Sequence, residues 1–309
     1  METLSLGIDL GGTKIECAVL RSRGGAAPVV EHRERVATPR EEGYDAIVAA
    51  TAALARATAR AAGREVGAIA VGVGMPGGVR RRDGLVKNSN TTCLNGRPFR
   101  ADLEAALGRE ILFDNDANCF ALAETRLGAA RGHEQGVVFG VILGTGVGGG
   151  LVVRGQVWPG LHGIAGEWGH HGVQSSSPDA RPCYCGQRGC LEAYASGPAL
   201  EADYLTRSGR PARAPEIARL AREGDRDATA AMASLLDAFA RGLANVIDVV
   251  DPSAVVLGGG VSNLSALYEE GRRLVAARVF NDELLTAIRK HELGDSAGVL
   301  GAALLPLGG

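Results

Sequence analysis

Between Gly166 and Glu192 the chain gathers side chains that bind a metal. It reads G-E-W-G-H-H and then, from position 183, C-Y-C-G-Q-R-G-C-L-E. Cys183, Cys185 and Cys190 offer three thiolates, and one imidazole, from His170 or His171, completes a closed tetrahedral zinc shell. Such a zinc is structural, since four protein ligands leave no open position for a nucleophilic water. Glu167 and Glu192 bracket the array, so the metal would hold polar side chains beside itself. Disulfides fit less well: Cys17, Cys93 and Cys119 are scattered, and Cys183 and Cys185 stand too close to pair.

A second chemistry lies in two glycine turns, D-L-G-G-T-K (Asp9, Gly11, Gly12, Thr13, Lys14) and G-T-G-V-G-G-G (Gly144, Thr145, Gly146, Gly148 and neighbours). Glycine lets backbone N–H groups converge on an anion without a Cβ in the way. The two threonine hydroxyls add donors. Asp9 makes sense beside a phosphate only with a cation between them, which assigns it to Mg²⁺ or its water shell. The second turn contains G-x-G-x-x-G, but it opens an apolar strand and not a helix, against the dinucleotide fingerprint. A third cluster, Gly258, Gly259 and Gly260, falls between strand and helix, a position suited to the rest of a nucleotide.

Asn115-Asp116-Ala117-Asn118 sits where a strand gives way to a helix. Asp116 or Asn118 could simply cap that helix. At a crossover between lobes, however, the carboxylate of Asp116 could take a proton from a substrate hydroxyl, with Asn115 holding neighbouring hydroxyls.

The elements that must position these groups follow from the apolar pattern. Residues 4–9 and 14–20 read as strand, turn, strand, and 44–62 as a helix. A buried strand then ends in G-M-P-G-G, followed by a helix over 101–107, a strand over 110–114 and a helix from Asp116. The second half repeats the theme: a strand over 137–143, a glycine turn, the returning strand L-V-V, a helix over about 226–248, the strand A-V-V-L, a helix over about 263–279 and a small-residue helix near 298–306. The uncharged run 136–153 reads as two strands joined by a glycine turn, not a membrane span. Two α/β lobes, each opening on strand–glycine turn–strand, are expected to face one another across a cleft.

Bulk numbers set limits. The 309 residues allow two domains; charged residues are 22% and the net charge is −2, which gives no reason to expect nucleic acid or membrane as partner. Residues 1–10 carry Glu2 and Asp9 and lack a basic start, so a cytoplasmic protein is expected.

Together D-L-G-G-T-K, G-V-G-M-P-G, N-D-A-N-C-F-A-L-A-E, G-T-G-V-G-G-G, G-E-W-G-H, C-Y-C-G-Q-R-G-C-L-E and V-V-L-G-G-G resemble the ROK family of sugar kinases and sugar-responsive repressors. The resemblance implies a duplicated, actin-like (ribonuclease H-like) α/β fold. It implies a small lobe over 1–114, joined by a helix over about 297–309, and a larger lobe over 115–296. Within the family, V-K-N-S-N-T-T-C-L-N-G-R-P-F (86–99) and P-C-Y-C-G are most similar to manno(fructo)kinase-type fructokinases. N-acetylglucosamine kinases share the N-D-A-N-C-F-A-L run. The implied activity is ATP-dependent phosphorylation of a hexose, fructose first, with an N-acetylglucosamine, glucose or mannose kinase as the alternative. The implied roles are Asp116 as general base and Gly77, Asn90, Asn115, Glu167, His170 and Glu192 as sugar ligands. ATP, Mg²⁺ and a structural zinc on His170, Cys183, Cys185 and Cys190 are the implied cofactors, and a homodimer the implied assembly. Repressors of the family carry a helix-turn-helix ahead of the first glycine turn. Here only eight residues precede Asp9, so a kinase is expected.

Overall fold

The computed structural model describes residues 2–24, 27–174 and 178–308. The first sheet is built from β1 (Glu2–Leu10), β2 (Lys14–Arg23), β3 (Val29–Ala37), β4 (Ala70–Met75) and β7 (Leu112–Asn115), in the order β3-β2-β1-β4-β7. β2 runs antiparallel to both β1 and β3, while β4 is parallel to β1 and β7 to β4. A two-strand ribbon, β5 (Gly78–Val79) with β6 (Val86–Lys87), follows β4. Strand alternation sorts the faces of β1. Leu6, Ile8 and Leu10 enter one core with Ile47, Leu54 and Ala59 of α1 (Tyr44–Ala61) and Phe99 and Leu103 of α2 (Phe99–Leu107). Gly7 and Asp9 point the other way, against α9 (Ala297–Leu304).

α9 lies at backbone contact with the sheet. A Cβ on Gly7 would overlap the Val299 carbonyl, and one on Gly72 the Ala302 carbonyl. α9 also meets α3 (Asp116–Arg126) this way, since a Cβ on Gly301 would overlap the carbonyl of Cys119.

The second sheet repeats the first. β8 (Val137–Leu143), β9 (Val147–Val153), β10 (Gln156–Val157), β11 (Ala254–Gly258) and β12 (Ala287–Lys290) run in the order β10-β9-β8-β11-β12. β11 is parallel to β8 and to β12, and β10 antiparallel to β9. Each sheet thus has its third, second, first, fourth and fifth strands side by side, and each glycine turn joins a first strand to a second. Around the second sheet come α4 (Glu192–Ala195), α5 (Gly197–Ser208), α6 (Ala214–Arg222), α7 (Arg226–Val250) and α8 (Glu270–Ala276). α7 is long and apolar enough to cross a membrane, but 67% of its most apolar stretch is buried inside the fold, as befits a core helix.

The chain divides into two compact units, residues 1–134, 150–165 and 292–309, and residues 135–149 and 166–291. This differs from a boundary at 114/115 with return at 297. The first unit keeps 115–134 because α3 is seated on α9, and it keeps 292–296 because Glu124 of α3 is buried and accepts from the N–H groups of Glu292 (3.2 Å) and Leu293 (3.0 Å). Gly309 lies outside the described residues. A helix over 263–279 also shrinks, to α8 preceded by 3₁₀ turns at Gly260–Asn263 and Ser265–Leu267. Ser262 and Asn263 bond back to the carbonyls of Gly259 and Gly260 and so compete with helical bonding.

Gly301→Val should therefore lose about 3 kcal/mol of stability or more, the upper range for overpacking. Urea unfolding of the purified variant checks this, and an unchanged midpoint would rule out the α3–α9 contact.

Candidate functional site

In the first unit the carboxyl ends of parallel strands bring the polar residues together, the usual place for a ligand on such sheets. Near the end of β1, Asp9 lies beside Gly74 of β4, and Met75 of β4 stands beside Asn115 of β7. The turn after β1 closes with Gly11 N–H donating to the Lys14 carbonyl at 2.9 Å, and Thr13 is exposed at its tip. Asp9 is packed against Gly298, where a Cβ would come within 2.7 Å of its Oδ2. Burial first, and the charge of Asp116 next, push the Asp9 carboxyl up to about 7 against the pull of Lys14. Such a group is poised to ionise when a cation arrives. Lys14 Nζ is itself held 3.1 Å from Glu16, a fully buried carboxylate that Arg33 and Arg35 also approach, at 3.5 and 3.4 Å.

At the strand–helix junction, the cap of α3 is Asn115, not Asp116 or Asn118. Its Oδ1 accepts from Ala117 N–H (2.8 Å) and its Nδ2 donates to the Gly77 carbonyl (2.9 Å), which leaves one amide hydrogen free of that pairing. Gly77 has φ +84° and no room for a Cβ against Lys87 and Ser89, so the two residues fix each other. Asp116 is the first residue of α3, and its Oδ1 accepts from Ala117 N–H at 2.8 Å. Asp114 was not anticipated. Burial raises its carboxyl, which accepts from Asn118 Nδ2 at 2.6 Å and Asn115 N–H at 2.8 Å. Asn90 is exposed, and its Oδ1 lies 3.9 Å from where a Cβ on Gly12 would sit.

In the second unit Trp168 ties G-E-W-G-H to the other glycine turn. It is buried edge-on to Phe139 and Phe239, and its Nε1 donates to the Gly148 carbonyl at 2.9 Å. A Cβ on Gly169 would overlap the Val147 carbonyl, so tryptophan and glycine are both needed for this seat. Glu192 joins the same turn: its Oε2 accepts from Val147 N–H at 2.8 Å and would crowd a Cβ on Gly146. One N–H of the turn is therefore already taken. Thr145 and Glu167 are exposed.

The choice between the histidines falls on His170. Ligand atoms of His170, Cys183, Cys185 and Cys190 all lie within 4.8 Å of one another. His170 Nδ1 is 3.7 Å from Cys183 Sγ, and Cys185 Sγ is 3.7 Å from Cys190 Sγ. Zn–S bonds of about 2.3 Å set tetrahedral edges near 3.8 Å, whereas a disulfide needs about 2.05 Å. The four groups fit zinc. Burial holds the Cys190 thiol up at about 12, while the Gln187 N–H lowers that of Cys185, so the buried thiol needs a cation to ionise. The other ring nitrogen of His170, Nε2, faces the exposed Tyr184 hydroxyl at 3.2 Å, a partner the sequence did not reveal. His171 stands outside this cluster, and burial lowers its imidazole. Part of the loop between His170 and Cys183, residues 175–177, lies outside the described residues.

Gly259 has φ +82° and abuts the Leu143 carbonyl, which brings the third glycine cluster to the end of β8. Gly260 opens onto a cavity of about 750 Å³ within this unit, lined among others by Pro215, Ala218, Met232, Leu236 and Asn263.

Comparison with known proteins agrees with this organisation. The ROK family model matches residues 5–308. An N-acetyl-D-glucosamine kinase of Photobacterium profundum is 39% identical over 306 residues, 97% of this chain and 98% of the relative. One from Escherichia coli O1:K1 / APEC is 37% identical over 308 residues, again 97% and 98%. Among solved structures, a ROK hexokinase from Thermus thermophilus superposes with a TM-score of 0.85 at 37% identity, covering 99% of this chain and 97% of that one. A ROK family glucokinase from Streptomyces griseus, in complex with glucose and AMPPNP, gives 0.74 at 30%, covering 99% and 100%. With the duplicated sheets and both glycine turns in place, the chain belongs to the ROK family.

Proposed function

We propose that this protein is an ATP-dependent sugar kinase that phosphorylates a hexose, with N-acetyl-D-glucosamine the leading substrate and D-fructose the alternative. The observation that carries the reading is the pair Asp9 and Asp116, interacting carboxylates at the ends of β1 and β7 beside a glycine turn. The similarity to N-acetyl-D-glucosamine kinases favours the amino sugar over the fructose suggested by residues 86–99, and the glucokinase with glucose and AMPPNP supports ATP as donor.

In this mechanism Asp116 accepts the proton of the attacking sugar hydroxyl, and Asn115 uses its remaining amide hydrogen to hold a neighbouring hydroxyl. Glu167 and Glu192, through its second oxygen, bind further hydroxyls, as does His170 once Tyr184 yields. Asn90 and the Gly77 turn line the sugar pocket. The N–H groups and hydroxyls of the turns at Gly12–Thr13 and Gly144–Gly146 receive the phosphates, and the cavity at Gly260 receives the adenosine. Asp9 would hold Mg²⁺ or its water shell, and that ion supplies neutralisation of the β- and γ-phosphate charge. Zinc on His170, Cys183, Cys185 and Cys190 would fix the wall carrying Glu167 and Glu192 and take no part in the chemistry.

ADP release across a panel of hexoses and N-acetylhexosamines tests the reading; absence of sugar-dependent ADP release would end it. Asp116→Asn should lower kcat by about 10³-fold, within the range for a general base, while sugar binding measured by calorimetry stays close to that of the parent. Near-normal turnover would remove Asp116 from the role. Metal analysis should find one zinc per chain, and stripping it should raise the sugar KM and lower the Tm together. Zinc-free protein with the parent's sugar KM would uncouple the two.

A further inference from the structure

Around the first glycine turn, the carboxylates of Asp9 and of Asp116 at the start of α3 outnumber the cations available to a phosphate. The charge of Asp116 lies close enough to act on Asp9. Lys14, the cation of the D-L-G-G-T-K motif, is committed to the buried Glu16 at 3.1 Å, and Arg33 and Arg35 reach the same carboxylate. A four-times-negative nucleotide needs positive charge beyond a single divalent ion.

Arg40 can supply it. This residue is exposed and makes no ion pair among the described residues; its guanidinium has a single polar contact there, Nη2 to the Asn90 carbonyl at 3.4 Å. Its Nη1 lies 3.5 Å from the place a Cβ would take on Gly12. The mount is rigid. Thr38 is held at two points: its N–H donates to the Thr13 carbonyl (3.0 Å) and its hydroxyl to the Gly11 carbonyl (2.8 Å). Pro39 then fixes the backbone, and the 3₁₀ turn Arg40–Glu42 begins. The T-P-R segment is thus stitched to the glycine turn by two bonds, with its arginine over Gly12. Thr91 points to the same spot: it is fully buried, its hydroxyl lies 3.6 Å from the Gly12 Cβ position, and that hydroxyl has no hydrogen-bond partner among the described residues.

We propose that Arg40 is a catalytic residue that binds the transferring γ-phosphoryl group over Gly12, an inference that rests on the kinase reading. The sugar oxygen–phosphorus bond forms as the bond from the γ-phosphorus to the β–γ bridging oxygen breaks. The sugar proton goes to Asp116, and the electron pair of the broken bond leaves with ADP. Arg40 moves no proton. Its planar fork donates N–H groups to the equatorial phosphoryl oxygens, whose charge it neutralises in the transition state. A guanidinium already placed over the turn needs little rearrangement to do this.

The test compares Arg40→Met and Arg40→Lys with the parent, on the sugar the parent phosphorylates. Arg40→Met should lower kcat by about 10²-fold or more, in keeping with the large effects of transition-state arginines, and Arg40→Lys by less. KM for ATP and for the sugar should each stay within about threefold of the parent, the pattern of an interaction made in the transition state. Tight inhibition by MgADP with aluminium fluoride and sugar, a mimic of the planar phosphoryl group, should be lost in Arg40→Met. Thermal unfolding should be unchanged, because the side chain is exposed; were the methionine variant unfolded, the lysine variant alone would decide. A kcat within about threefold of the parent, a loss confined to the sugar KM, or undiminished inhibition by the fluoride complex would overturn the assignment. A parent active on a hexose beside an active Arg40→Met removes Arg40 alone. A parent inactive on every hexose removes the kinase reading, and the role of Arg40 falls with it.

Discussion

The site in the first unit depends on the packing of one half-buried carboxyl group, Asp9, against Gly298. Asp9 can stand there only because α9 begins without a side chain at that position, where a Cβ would come within 2.7 Å of Oδ2. α9 in turn reaches that depth because Gly7 and Gly72 let it touch β1 and β4 backbone to backbone. Gly301 then seats α3 on α9, and α3 begins with Asp116. The chain of close approaches runs from a helix with no polar side chains to the two carboxylates that interact at the site. Desolvation, with the charge of Asp116, raises Asp9 to about 7, so a nearby cation would favour its ionised form.

The second unit solves a parallel problem with different means. There the glycine turn is gripped from its own side by Trp168, through the Gly148 carbonyl, and by Glu192, through the Val147 N–H. The Leu191 N–H bonds to the His171 carbonyl at 2.9 Å, which lays the cysteine segment along the histidines and brings Cys190 to the ligand cluster. A zinc there would brace both Glu192 and the turn it holds.

Much of this was legible in the sequence. Strand alternation and glycine turns located both halves of the repeat, because period two and φ-permissive residues leave local marks. β8 over 137–143 and α1 over 44–61 fall where the pattern puts them. β3 escaped because its V-V-E-H-R-E-R-V-A run is largely exposed and charged, without an apolar face to count. The unit boundary escaped because it is set by contacts far apart in sequence, Gly301 with Cys119 and Glu124 with Glu292. For the candidate site, type and spacing were enough to nominate the motif residues. Asn115 as helix cap, Tyr184 at His170, and Glu16 under Lys14 were not, since each depends on where a side chain turns after the backbone is placed. For Glu16 the one signal was a carboxylate among apolar residues of a buried strand.

Asp9 is half-buried, and desolvation is the largest cause of its raised value. Its raised value means that its burial costs the folded protein nothing below the ordinary value of 3.8, increasingly more between there and about 7, and the full amount above that. The most direct measurement is the titration of the Asp9 carboxyl carbon by NMR, in the free protein and with Mg²⁺ and AMPPNP bound. A midpoint near 7 is expected in the free protein, and ionisation well below that when the complex forms. A free-protein midpoint at the ordinary carboxylate value, or no change on adding Mg²⁺ and nucleotide, would contradict this expectation.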